Sequence, residues 1–205
     1  MIQKNIVRFK DYIAARFIFL LAIIYLGILV SSIQPEVFFQ GDGGVKFLVI
    51  KQINAHQGFK YLTLPQPQWV REIWDKGFFP LKEPFVYSTP KGYLISFPPA
   101  FQIVNAFLYE RLGYRGIYII PLLSILILWT WVFNLLKKKN IGEINMALAI
   151  FVLTFCSPLT IYGAMYWEHM PTVLLLFAGT VFILNKPSGL ASAALWAFLQ
   201  DWLSG

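Results

Sequence analysis

Gly116 to Leu136 reads GIYIIPLLSILILWTWVFNLL, without one charged side chain, and Lys137, Lys138 and Lys139 follow at once. About 20 apolar residues, rising 1.5 Å each, cross the ~30 Å hydrocarbon core of a bilayer. Such a run belongs either in lipid or in the centre of a large core. Composition decides for lipid: of 205 residues 58% are hydrophobic, 18% are aromatic and only 13% are charged. That charged share is about half the value usual in soluble domains. The net charge of +7 does not point to nucleic acid, because the basic residues cluster beside apolar runs, as membrane anchoring and orientation require. The single cysteine, Cys156, lies inside an apolar run and excludes both an intramolecular disulfide and a cysteine-based metal cluster.

The remaining runs extend this reading to an all-α polytopic membrane protein of about four to five transmembrane helices, a single membrane domain over residues 1–205. Residues 17–33 form a first span, preceded by Lys4, Arg8, Lys10 and Arg16. Its charged leader is long and no A-x-A cleavage site follows, so the helix is read as retained, with a cytoplasmic N-terminus. Further spans fall at 116–136, at 144–166 (interrupted by Pro158) and at 170–184, and 189–203 is a fifth candidate near which the sequence stops.

Residues 34–115 are too long for a turn and are read as one large external loop. Short helices are expected near 45–57, 69–77 and 98–112. In the last of these, Pro98 and Pro99 suit a helix start, and Ala100, Ile103, Val104, Phe107 and Leu108 make one apolar stripe, with Gln102, Asn105 and Glu110 off it. Roughly 15 residues reach about 22 Å, short of a full crossing. The helix is therefore read as lying at the interface, an arrangement that also leaves the N-terminal cations, the triple lysine and Lys186 together on the cytoplasmic side. Trp69, Val70, Ile73 and Trp74 share one face of the expected 69–77 helix, and Glu72 and Lys76 are spaced i,i+4 on the other.

The order of these features carries a resemblance. A first helix is followed by a loop with an early acid in FFQGDGGVKFLVIKQ, then by YLISFPPAFQIVNAFLYERLGYRGIYIIPLLS with its Pro-Pro pair, then by a second short loop in YWEHMPTVLLLF. This resembles the N-terminal part of the GT-C superfamily of membrane glycosyltransferases, the protein O-mannosyltransferase-like and lipid A aminoarabinose-transferase-like enzymes. The resemblance implies a polyprenyl-phosphate sugar as donor, an acceptor hydroxyl and chemistry on the external face, and the compact N-terminus favours a bacterial inner membrane as the location. It implies that Asp42 acts as the base toward the acceptor or orients it, with Glu168 opposite it in the second loop. Substrate-binding roles fall to His169, to Arg115 as a cation for the lipid-phosphate leaving group, and to Lys91 and Arg111.

Each residue also has a plainer reading. Asp42 would cap the helix that follows, accepting from the N–H of Gly44 or Val45. Glu168 and His169 would sit in a solvated turn, and the cations would anchor helix ends at the headgroups. Tyr87, Tyr93, Trp69 and Trp74 are read as interface aromatics rather than sugar platforms. A divalent metal on Asp42, Glu168 and His169 stays open, although His56 is the only other histidine and no metal-binding spacing occurs. The family's further helices do not follow in this sequence. A non-catalytic subunit beside a larger membrane partner, or a truncated remnant, is therefore the alternative to the enzyme. A small transporter is a third reading, which wants more polar groups inside the spans than Asn134, Asn145 and Thr154 supply.

Overall fold

The structure is a computed structural model that describes residues 12–34, 38, 41–62 and 83–185. It is mostly helical. In order the elements are α1 (Ile13–Ser31), α2 (Gly41–Asn54), β1 (Tyr61–Leu62), β2 (Val86–Thr89), β3 (Gly92–Ile95), α3 (Ala100–Leu112), a 3₁₀ turn (Gly113–Tyr118), α4 (Ile119–Lys138), α5 (Glu143–Phe155), α6 (Leu159–Ala164) and α7 (His169–Asn185). The described chain divides into two compact units.

The first unit gathers α1, α4 from Pro121 onward, α5, α6 and α7. α1 is long and apolar enough to cross a membrane, and so is the helical run Ala100–Lys138 that α4 completes. α5 and α7 are apolar but shorter. Its larger core joins Ala22 and Leu26 of α1, Ile125, Leu128 and Trp129 of α4, and Ala164 and Met170. Gly163 of α6 lets Ile125 approach: a Cβ there would lie 2.5 Å from the Ile125 side chain. A second cluster seats Tyr12 and Ala15 against Met146, Ala147 and Ile150 of α5. Glu143 at the start of α5 accepts a hydrogen bond from the Ala14 N–H at 2.9 Å, satisfying one of the orphan donors at the head of α1. The expected 144–166 span is two helices, α5 and α6, because the break at Ser157–Pro158 interrupts the ladder. The outward faces of α1 and α5 are apolar, with Phe17, Ile28, Ile144 and Leu148 exposed.

The second unit gathers α2, the strands, α3, the 3₁₀ turn and the short connection Met165–Glu168. The expectation of an all-α chain needs correction here: β1, β3 and β2 form an antiparallel sheet in that order, with Tyr61 opposite Leu94 and Tyr87 opposite Leu94 on the other side. Its inner face packs Leu62 and Val86 against Val45 of α2. The expected helices near 45–57 and 98–112 appear as α2 and α3, whereas those at 69–77 and 189–203 lie outside the described residues. α3 ends where Gly113 takes φ +65°, a conformation glycine adopts without cost. Its faces are reversed relative to a soluble helix. Gln102, Asn105 and Ala106 are buried, while Ile103, Val104 and Phe107 are exposed.

Candidate functional site

The early acid stands in the first turn of α2. It is inside the helix rather than ahead of it, so the expected cap to Gly44 or Val45 gives way to a different bond. Asp42 Oδ2 accepts from Lys46 Nζ at 3.3 Å, one helical turn on. A carboxylate in the first turn is also favoured by the helix dipole. The glycines around Asp42 have a packing role, since a Cβ on Gly43 would come within 3.3 Å of the Phe38 ring.

Lys46 joins the two acids that the resemblance sets opposite one another. Its Nζ lies 2.7 Å from both Glu168 Oε1 and Oε2. The ammonium has three hydrogens, and three carboxylate oxygens receive them. Lys46 is fully buried, with 0% exposure, and the Phe97 ring lies 4.4 Å from its nitrogen. The side chains of Asp42 and Glu168 keep 13% and 26% of their surface exposed. A substrate can therefore touch either carboxylate but not the lysine. Glu168 is held at both oxygens by one short bidentate contact. Asp42 is held at one oxygen by a longer bond.

Aromatic rings wall the site. Phe38 packs against Phe47 and Tyr166, with centroids 5.3 and 6.0 Å away, and Phe101 stacks on Tyr166 at 5.3 Å. A small cleft of about 10 Å³ is lined by Asp42, Gly43, Phe38, Tyr118, Tyr166 and Trp167, together with Met165. That is room for about one water-sized oxygen, not for a sugar ring. Tyr166 lies beyond the end of α6. Its buried hydroxyl has no hydrogen-bond partner among the described residues. Burial, then the Glu168 carboxylate and Tyr118, push its phenol well above the ordinary tyrosine range, so it stays a neutral donor.

The other expected site residues are dispersed. Arg115, in the 3₁₀ turn, and Arg111 are exposed, and the Arg111 guanidinium lies 4.3 Å from the Phe107 ring centroid. Lys91 is exposed at the β2–β3 turn, its backbone N–H donating to Thr89 Oγ1. None of the three forms an ion pair with Asp42 or Glu168 among the described residues. His169 opens α7 in the first unit, its ring edge-on to Tyr162 at 5.7 Å. Among the described residues no three His, Cys, Asp or Glu side chains gather as a metal site. The physical reason at Asp42 and Glu168 is that a lysine ammonium already lies between them.

Lys46 is the residue that sequence reasoning passed over. A usable signal was present: acid then lysine at i,i+4 on one helix is the favourable order for an ion pair. Compared with known protein families, curated proteins and solved structures, the chain finds no match.

Proposed function

We propose that this chain is the acid-bearing part of a membrane glycosyltransferase of the GT-C kind, moving a sugar from a polyprenyl-phosphate donor to an acceptor hydroxyl. The observation that carries the reading is the meeting of Asp42 and Glu168 on Lys46, across 122 residues of sequence for the second contact. Both carboxylates remain partly exposed, and Asp42 lines an aromatic-walled cleft. In the proposed reaction the acceptor hydroxyl gives its proton to Asp42 as its oxygen attacks the anomeric carbon. The bond from that carbon to the phosphate oxygen breaks, and its electron pair leaves with the lipid phosphate. A base needs hydrogen-bond reach to its proton, and the looser hold on Asp42 favours it over Glu168 for this step. Arg115 and Arg111, exposed in the same unit, would supply the cation for the leaving phosphate, where charge grows.

The reversed burial of α3 supports the membrane setting. A helix that turns Ile103, Val104 and Phe107 outward and its amides inward suits a lipid boundary. Under this reading α1, α4, α5–α6 and α7 are four spans, 189–203 is a fifth, and the second unit faces the exterior of a bacterial inner membrane with the N-terminus inside. Membrane lipid and the lipid-linked sugar are then the partners.

One observation favours a second reading. The cleft holds about one oxygen atom, which suits a non-catalytic subunit that leaves the sugar to a larger membrane partner. The test is transfer of radiolabelled sugar from a panel of polyprenyl-phosphate donors, in membranes carrying the full chain or Asp42→Asn. The enzyme reading expects a loss of roughly 10²-fold or more with unchanged accumulation of protein. Transfer at the normal rate by the variant, or none by the wild type when its partner is absent, moves the assignment to the subunit.

A further inference from the structure

We infer that Lys46 is a built-in cation occupying a divalent-ion site formed by Asp42 and Glu168, and that it positions Asp42 in place of a metal. Two carboxylates converging on one point are the ordinary ligands of a hard divalent ion, with water completing the shell. Here the point is filled by an ammonium with all its hydrogens spent, at 2.7, 2.7 and 3.3 Å. A lysine saturated in this way has no donor left for a phosphate or a sugar hydroxyl, and at 0% exposure no substrate reaches it. Binding substrate is thereby excluded as its task. Countering the two acids and fixing their separation is what its geometry performs. Phe97 lies 4.4 Å from the nitrogen, Asp42 is on the same helix as Lys46, and Glu168 is on the connection before α7.

Removing the ammonium while keeping the carboxylates should therefore expose the site to metal. Lys46→Met keeps the unbranched chain as far as Cε and drops the ammonium; Lys46→Gln is the second variant. The full chain in mild detergent is titrated with Mn²⁺, and the free ion is followed by electron paramagnetic resonance. The wild type is expected to leave the free-ion signal unchanged. Lys46→Met or Lys46→Gln is expected to deplete it, and adding Glu168→Gln is expected to abolish that depletion. Should both single variants fold only when Mn²⁺ is present, the metal has replaced the lysine and the inference holds. Three outcomes overturn it: wild-type Mn²⁺ binding that Glu168→Gln removes, folded single variants that bind no more Mn²⁺ than the wild type, or single variants that Mn²⁺ does not help to fold.

The positioning role rests on the transferase reading, and the occupancy does not. In the transfer assay, Mn²⁺ should restore activity to Lys46→Met, leave the wild type unchanged and fail to rescue Asp42→Asn. Metal binding by Lys46→Met without restored transfer removes the positioning role. Metal binding by a chain that transfers no sugar in any form removes the transferase reading and leaves the occupied site standing.

Discussion

The two units differ in how they bury polar groups. Among the described residues of the first unit the buried polar ones are Ser124, Thr154 and Thr160. The threonines bond to carbonyls close by in the chain: Thr154 donates to Ile150 at 2.8 Å and Thr160 to the Thr154 carbonyl. Among the described residues of the second unit the buried polar groups are Lys46, Gln52, Gln102 and Asn105; Asn105 also donates one turn back, to the Phe101 carbonyl, but other groups pair outside their own helix. Lys46 reaches Glu168, Gln52 donates to the Tyr61 carbonyl at 2.5 Å, and the half-buried Asn54 donates to the Ala106 carbonyl at 3.2 Å. Local satisfaction is what lipid permits, because a helix can then sit among apolar neighbours with nothing left unpaired. Long-range polar links need a packed environment of their own, and they are where a charge can be held for chemistry. The contrast puts the buried ammonium of the described residues, that of Lys46, in the second unit.

The largest expected effect sharpens this contrast at Lys46. Lys46→Met leaves Asp42 and Glu168 facing one another without a counter-charge, and breaking a buried pair costs about 3 kcal/mol or somewhat less where water reaches the acids. Unfolding in mild detergent, followed by circular dichroism, measures it. Next come the glycines at close approaches. A Cβ on Gly116 in the second unit would collide with the backbone carbonyl of Leu108, whereas one on Gly163 in the first would meet the side chain of Ile125. Overpacking costs about 1–3 kcal/mol. Gly116→Ala is expected toward the upper end because backbone cannot swing aside, and Gly163→Ala lower in the same unfolding assay. Glu143→Gln removes a charged acceptor from the head of α1, an expected loss of about 0.5–1 kcal/mol. Tyr166→Phe closes the series. Its hydroxyl has no partner among the described residues, so its removal should leave stability unchanged or slightly raised; a clear loss would show that the hydroxyl is paired.

The two units also differ in how far the sequence could be read. α1 and α4 were legible because long apolar runs bounded by cations have few other homes. The break inside 144–166 was legible at Pro158. The sheet was not: β1, β2 and β3 are short, lie among prolines and glycines, and carry Tyr87 and Tyr93, which read equally well as interface aromatics. At the site, Asp42 and Glu168 were reached through the resemblance, since an acid between glycines and an acid before a histidine are individually ordinary. Lys46 was hidden by its neighbours, because a lysine flanked by Val45 and Phe47 reads as an anchor that snorkels to water. Its burial follows from the pairing of distant segments, which periodicity does not encode. For the same reason the sequence does not show that His169, adjacent to Glu168, opens α7 in the other unit.

The account stands most directly on the claim that Asp42 and Glu168 share one cation. Unfolding free energies of Lys46→Met and of the triple variant Lys46→Met, Asp42→Asn, Glu168→Gln measure it without any substrate. Groups in one ion-paired network are not additive. If the three charges form one cluster, neutralising both acids should return most of the stability that Lys46→Met loses. If the triple variant is instead less stable than Lys46→Met by the sum of the two acid substitutions, the residues do not share a site and the account is wrong.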